Sequence, residues 1–269
     1  FSMRSISRPS RAAKSASANH PLSFMKKIPI ALQLWSVRDE MRRDFAATVG
    51  AVSQIGYAGV ELAGFGNLDV KGVKAALEAA QLKVAGMHVG AAALRSDLNT
   101  VINDALLLGA RHVTCPSWPA VQFVSAAACE RIGEQLGEIG RTLRSVGLTF
   151  SFHNHAAELK IIEGRPVFDW MLGAAAPRDL KAEPDVYWLH VGGCPPEKFL
   201  RDHGARCPLV HLKDEKELGL GPVNFEKVFS AIDEVGAAEW LIVEQETYNH
   251  VPLESVRLCF EQLKQWGRT

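Results

Sequence analysis

The sequence carries no excess charge of either sign. Thirty Lys and Arg stand against thirty Asp and Glu over 269 residues. A basic groove for a phosphate backbone is therefore not indicated. No apolar run reaches about 18 residues, so no membrane span is expected. Cysteines are few: Cys115, Cys129, Cys194, Cys207 and Cys259 are scattered, odd in number and without metal-ligand spacing. That pattern argues against a disulfide scaffold and fits a reducing, cytoplasmic compartment. The stretch Gln33–Arg38, which follows the first apolar run, contains no glycine. A dinucleotide-binding turn needs glycines there, so such a fold is disfavoured.

Residues 1–27 lack acids altogether and carry six basic residues, Arg4, Arg8, Arg11, Lys14, Lys26 and Lys27. Without them the chain has 24 basic against 30 acidic residues, a net charge of −6. The segment is rich in Ser, Ala and Arg, with little apolar periodicity, and is expected to be a flexible tail. A start placed ahead of Met25, a cloning remnant and a transit-like peptide are its competing origins. The apolar stretch of a secretory signal is missing, and a tail without function is the expectation.

What the sequence has from residue 28 onward is regular alternation. Short apolar runs stand at Ile30–Trp35, Gly59–Leu62, Lys83–His88, His112–Cys115, Leu148–Asn154, Leu180–Asp185, Pro208–Leu212 and Trp240–Glu244. Their starts lie 24 to 36 residues apart, the length of one strand–helix unit. Helical patterns lie between them: Phe45–Ile55, Val73–Ala80, Leu98–Leu108, Ala126–Val146, Phe225–Val235 and Leu253–Trp266. Gly56, Gly109, Gly147 and Gly236 stand where helices end and a left-handed cap is wanted. Strict alternation predicts a parallel sheet, and eight units in one domain, 28–269, predict a closed (β/α)8 barrel. The site of such a barrel forms where the strands end.

The strand ends are polar. They read Gln33 with Trp35, Glu61, His88, Cys115, His153-Asn154-His155, Asp185, His211 with Lys213-Asp214, and Glu244 with Glu246. His153, Asp185, His211 and Glu244 are 32, 26 and 33 residues apart, one unit each. In a barrel they would meet at one end of the axis. Their mixed nitrogen and oxygen donors suit Mn²⁺, taken first, or Mg²⁺, Co²⁺ or Zn²⁺. Taken singly, each residue has a plainer reading. His88 could be a hydrogen-bonded structural histidine, Glu61 could pair with a lysine, and Glu158 could be a solvent-facing loop carboxylate. Trp35, Trp118 and Trp188 could pack the core or wall a sugar ring. Lys213 could lie at the surface, although its parity matches His211. Ala91–Ser96 and Glu215–Val223 are candidate lids, the second through Gly219-Leu220-Gly221-Pro222.

The motifs Leu32–Asp39, Ile55–Leu62, Phe152–Leu159, Asp185–Trp188, His211–Asp214 and Val243–Glu246 together resemble those of the xylose isomerase-like TIM barrels, the sugar phosphate isomerase/epimerase group. The match runs in order from about residue 28 to the C-terminus. The resemblance implies a divalent cation held by Glu, Asp, His and Glu at the ends of strands five to eight. Asp185, His211 and Glu244 match the last three, and His153 replaces the first glutamate. Epimerases of the group exchange a proton between two metal-bound glutamates, and only Glu244 of that pair is present. Glu158 or His155 would supply the second base, and Lys213 would neutralise a developing oxyanion. Trp35, Glu61, His88 and Trp188 would contact substrate. Abasic-site endonucleases of the superfamily want a His three residues after the Asp, where this chain has Trp188.

The implied activity is a metal-dependent sugar isomerase or epimerase acting through an enediolate. A dehydratase or lyase on a keto-sugar, keto-glycoside or keto-inositol is the alternative, and a non-catalytic sugar-binding barrel is a third reading. The implied partner is a small carbohydrate, with neither nucleic acid nor membrane. Free or oxidised sugars are favoured over sugar phosphates, since no phosphate site is evident. A homo-oligomer stays open by analogy.

Overall fold

A computed structural model describes residues 27–269. The tail expected over residues 1–27 lies, apart from Lys27, outside the described residues. Eight parallel strands form the centre: β1 Ile30–Gln33, β2 Gly59–Leu62, β3 Lys83–His88, β4 His112–Cys115, β5 Thr149–His153, β6 Lys181–Glu183, β7 Leu209–Leu212 and β8 Trp240–Val243. They follow the order β6-β5-β4-β3-β2-β1-β8-β7. β1 pairs with both β2 and β8, so the sheet curls round. Between β6 and β7 closure rests on a single bridge, Asp185 with His211, where His211 N–H donates to Pro184 C=O at 2.9 Å. The fold is a nearly closed TIM barrel.

Each strand stops where the backbone has a better use for its donors. β1 was expected to reach Trp35, but Gln33 turns its side chain to accept the Trp35 N–H at 3.0 Å and starts a 3₁₀ turn, Leu34–Val37. β6 was expected to reach Asp185. Pro184 has no N–H to give a ladder, and Asp185 becomes the cap of a helix, Val186–Val191, that the sequence pattern did not reveal. Helices Phe45–Ile55, Leu98–Leu108 and Phe225–Val235 match their predicted limits. The two stretches expected as lids are anchored instead. Ala91–Ser96 is a helix with Leu94 in the core. The loop 215–223 wraps round the Asp214 carboxylate, which accepts N–H groups of Glu215, Gly219, Gly221 and Val223 at 3.0–3.4 Å. No helix among the described residues is long and apolar enough to cross a membrane.

The apolar core lies mostly between strands and helices. Inside the barrel a small separate cluster, Ala31, Ala85, Leu209 and Ile242, plugs the axis. Strand alternation carries the same inward face upward from β1, β7 and β8 to Gln33, His211 and Glu244. The polar layer thus rests on an apolar floor.

The helix Ala126–Ser145 lies against the chain that leads to β6, and glycine makes the approach possible. A Cβ at Gly140 would fall 1.6 Å from the Asp179 carbonyl oxygen, and one at Gly133 would fall 2.1 Å from that of Met171. Gly50, inside Phe45–Ile55, has nothing within 4 Å of its Cβ position. Gly140→Ala is therefore expected to destabilise by about 1–3 kcal/mol through overpacking. Gly50→Ala is expected to stabilise by about 0.5–1 kcal/mol. Calorimetric melting of both variants checks the contrast, and an unchanged Tm for Gly140→Ala would refute the close approach.

Candidate metal centre

Four strands bring one donor each to a single point. His153 ends β5, Asp185 follows β6, His211 lies in β7 and Glu244 follows β8. Their donor atoms all lie within 4.8 Å of one another, and all four residues are buried. These are the four ligand candidates read from the sequence. Asp185 is fixed by its backbone: its N–H donates to Asn154 Oδ1 at 3.1 Å, and its Oδ1 accepts from the Tyr187 and Trp188 N–H groups at 2.9 Å. Its Oδ2 is buried and, among the described residues, has no hydrogen-bond partner. A buried carboxylate oxygen left so suits a cation better than solvent-free isolation. The set of two imidazoles and two carboxylates fits Mn²⁺, Co²⁺ or Zn²⁺.

A second layer lies beneath. Glu61 is fully buried, and its Oε2 accepts from Gln33 Nε2 at 2.8 Å and faces His211 Nε2 at 2.7 Å and His88 Nε2 at 3.1 Å. Gly86 makes room for it, since a Cβ there would fall 2.6 Å from Glu61 Oε1. Glu61 was expected to contact substrate. It is fully enclosed beneath the four candidate ligands and pairs with His211, whose Nδ1 lies 3.4 Å from Glu244 Oε2. Glu183 completes this layer, with Oε2 2.8 Å from His88 Nε2. Sequence reading passed over Glu183, although it shares the parity of Asp185 two residues on.

Burial and pairing set the charges. Desolvation opposes the charged forms throughout. Against it, His88 and His211 hold the Glu61 carboxyl well below its usual range, and Glu61 with Glu183 raises His88 to about 10. Burial and the neighbouring Glu61 push Glu183 up to about 7. Burial drives His153 well below the ordinary imidazole range, with His211 and His88 adding to it.

Above the layer opens a cavity of about 380 Å³ lined by Trp35, His88, His153, His155, Glu244 and Glu246, with Ala63, Pro116 and Ser117. Trp35 and His88 stand where substrate contacts were expected. Trp188 stands behind the wall, with its ring 5.5 Å from that of His155 and 5.2 Å from Lys213 Nζ. Lys213 is buried, not at the surface. Its ammonium lies 3.4 Å from Glu244 Oε2 and pairs with Glu246. Glu246 is a cavity carboxylate to which the sequence pattern gave no role. Glu158 was expected as a base. Its Oε2 instead accepts the His155 N–H at 2.9 Å, closing a reciprocal cap of the 3₁₀ turn Ala156–Leu159. Burial pushes its carboxyl up to about 7. Glu158 thus positions the His155 backbone and is not among the residues that line the cavity. Trp118 is packing, with Nε1 donating to Gln122 Oε1 at 2.8 Å.

The profile of the xylose isomerase-like TIM barrel matches residues 49–266. The chain belongs to this family. Among solved structures, a sugar phosphate isomerase/epimerase from Parabacteroides distasonis is 22% identical, with a TM-score of 0.80 over 88% of this chain and 98% of that one. A 3-keto-D-glucoside 4-epimerase from E. coli is 14% identical, TM-score 0.69, over 89% and 100%. A probable 3-DHS dehydratase from Bacillus anthracis is 12% identical, TM-score 0.70, over 88% and 99%. No curated protein sequence matches. At these identities the likeness shows the fold alone.

In any metal site of this barrel, Glu61 would act through His211 by fixing which ring nitrogen carries the proton. Outer partners of this kind change metal affinity by about 10–100-fold when replaced. Glu61→Gln is expected to weaken Mn²⁺ binding by that factor while far-ultraviolet circular dichroism stays unchanged. Calorimetric titration measures it, and an unchanged Kd would remove Glu61 from the orienting role.

Proposed function

We propose that this chain is a divalent-cation-dependent sugar isomerase or epimerase that moves a proton on the carbon next to a carbonyl. The supporting observation is the convergence of His153, Asp185, His211 and Glu244 within 4.8 Å beside an open cavity. When bound, the cation supplies Lewis acidity toward a carbonyl oxygen. The rest falls to the protein's own groups. Glu244 faces the cavity and removes the proton. Against the desolvation of burial, Lys213 and His211 keep its carboxyl below the usual range, so it stands ionised. His155, held by Glu158 through the turn, faces the same cavity and serves the second proton position. Lys213, buried behind the cavity wall between Glu244 and Glu246, offsets the charge of these two carboxylates. Trp35 offers an apolar wall for a sugar ring.

The substrate is an uncharged carbonyl sugar. The cavity wall presents two carboxylates, Glu244 and Glu246, and no lysine or arginine. A phosphate placed there would meet like charge within a few ångströms. If a β-substituent leaves after the same proton removal, the outcome is dehydration or lysis, and product analysis separates that course from isomerisation.

Asp185→Asn keeps a residue that caps helices well but removes a charged donor. It is expected to abolish stoichiometric uptake of Mn²⁺ or Co²⁺ and leave the melting temperature nearly unchanged. Glu244→Gln is expected to slow α-proton exchange by about 10²–10⁴-fold. Exchange from free ketoses and 3-keto-glycosides in deuterated water, followed by NMR, is the readout. A wild-type protein that takes up no cation and exchanges no proton would overturn the proposal and leave a sugar-binding barrel.

A further inference from the structure

A second cavity, of about 400 Å³, opens at the other end of the barrel, where β3, β4 and β8 begin. Its volume is in the range of small-molecule sites, although the chemistry of a TIM barrel belongs to the opposite face. We infer that this cavity binds a small hydroxylated anion, with Lys83 and Arg111 on its carboxylate or phosphate, His112 Nδ1 on a hydroxyl and Trp240 against its carbon skeleton. The inference needs nothing of the reaction proposed for the mouth.

Three observations carry it. The first is unspent charge. Lys83 opens β3 and Arg111 immediately precedes β4, so two neighbouring strands bring two cations to one cavity. Among the described residues neither forms an ion pair, whereas the other charged groups of the lining are matched. Lys74 lies 2.9 Å from Glu78, and Glu239 lies 3.3 Å from His112 Nε2. The nearby ends of the helices Val70–Ala79 and Leu98–Leu108 are closed by their own backbone, with Leu82 N–H on Leu77 C=O at 3.0 Å and Ala110 N–H on Ala105 C=O at 2.9 Å. The two cations are therefore not taken up by helix-end carbonyls. A guanidinium beside an ammonium suits a carboxylate or a phosphate. The second observation is a bare acceptor. His112 is only 2% exposed. Burial, opposed by Glu239, holds it below the ordinary imidazole range, so the ring carries one proton. The Glu239 carboxylate accepts that proton from Nε2, and Nδ1 is left buried with no hydrogen-bond partner among the described residues. Folded proteins rarely leave such an atom unpaired, and an unprotonated imidazole nitrogen takes an O–H. The third is an apolar support. Gly59 makes room for the Trp240 indole, since a Cβ there would fall 3.0 Å from its Cη2. The ring packs inward on Ala31, Ala85, Leu209 and Ile242, and its remaining surface lines the cavity. A half-buried indole of this kind can carry the C–H face of a polyol.

Isothermal titration calorimetry with D-gluconate, D-glucose 6-phosphate, inorganic phosphate and neutral D-glucose tests the site. It is run on the wild type, Lys83→Ala, Arg111→Ala, His112→Phe and Asp185→Asn. One equivalent of gluconate or glucose 6-phosphate is expected to bind, with neutral glucose weaker by about 10–100-fold. Lys83→Ala and Arg111→Ala are expected to lose the same factor. His112→Phe is expected to erase the advantage of glucose 6-phosphate over inorganic phosphate, and Asp185→Asn to bind as the wild type does. The stronger of the two sugar anions tells a carboxylate site from a phosphate site. Lys83 and Arg111 are exposed, so their variants carry the test if His112→Phe fails to fold. Sugar anions that bind no better than glucose, or that bind Arg111→Ala as they bind the wild type, would overturn the site. Anion binding lost in Asp185→Asn but kept in Lys83→Ala and Arg111→Ala would place the anion at the mouth and likewise overturn it.

Discussion

The barrel mouth is built around one electrostatic constraint. Glu61, Glu183, Asp185 and Glu244 are all withdrawn from water at the end of one set of strands. A single buried carboxylate is strongly disfavoured unless it is paired and hydrogen-bonded. Here every one of the four meets a cationic or N–H partner. Glu61 has Gln33, His88 and His211, Glu183 has His88, Asp185 has two backbone N–H groups, and Glu244 has His211 and Lys213. Residues farther out answer to the same need. Lys213 is drawn inward because Glu244 and Glu246 hold it, and Gly86 is small because Glu61 occupies its space.

Backbone closure and side-chain pairing are tied at one seam. β6 and β7 share only the bridge between Asp185 and His211, and both of these residues belong to the candidate ligand set. Pro184 ends the ladder there and gives its carbonyl to His211. Beyond that bridge Asp185 caps the following helix with one oxygen and leaves the other without a hydrogen-bond partner among the described residues.

Much of this was legible in the sequence because strand period and strand position are strong constraints. The eight apolar runs became the eight strands, with ends shifted by one or two residues. Those shifts came from local competition for N–H groups at Gln33 and from Pro184, which a hydropathy pattern does not weigh. His153, Asp185, His211 and Glu244 were readable because each ends an apolar run. Glu183 was not, because it lies inside a run, where a charge reads as an interruption and not as a ligand. The alternation that was applied to Lys213 and His211 also relates Glu183 to Asp185 and Glu246 to Glu244. The role of Glu158 depended on a four-residue turn closing on itself. The anchoring of the loop 215–223 depended on one carboxylate meeting four amides. Neither leaves a periodic trace.

His153 also changes meaning in the structure. As a replacement for a carboxylate in the outer set, it lowers the negative charge near the cavity by one. The acid is not lost from the centre, however. Glu183, on the next strand and opposite His153 in the ladder, places a carboxylate oxygen 3.8 Å from His153 Nδ1. Negative charge has in effect moved one layer down, away from the cavity and toward His88. The outer layer is left with carboxylates on β6 and β8 only, so proton transfer from two metal-bound glutamates on opposite faces has no second glutamate. The other titratable groups that line the cavity beside Glu244 are His88, His153, His155 and Glu246, so any second proton-handling group there is an imidazole or the Glu246 carboxylate.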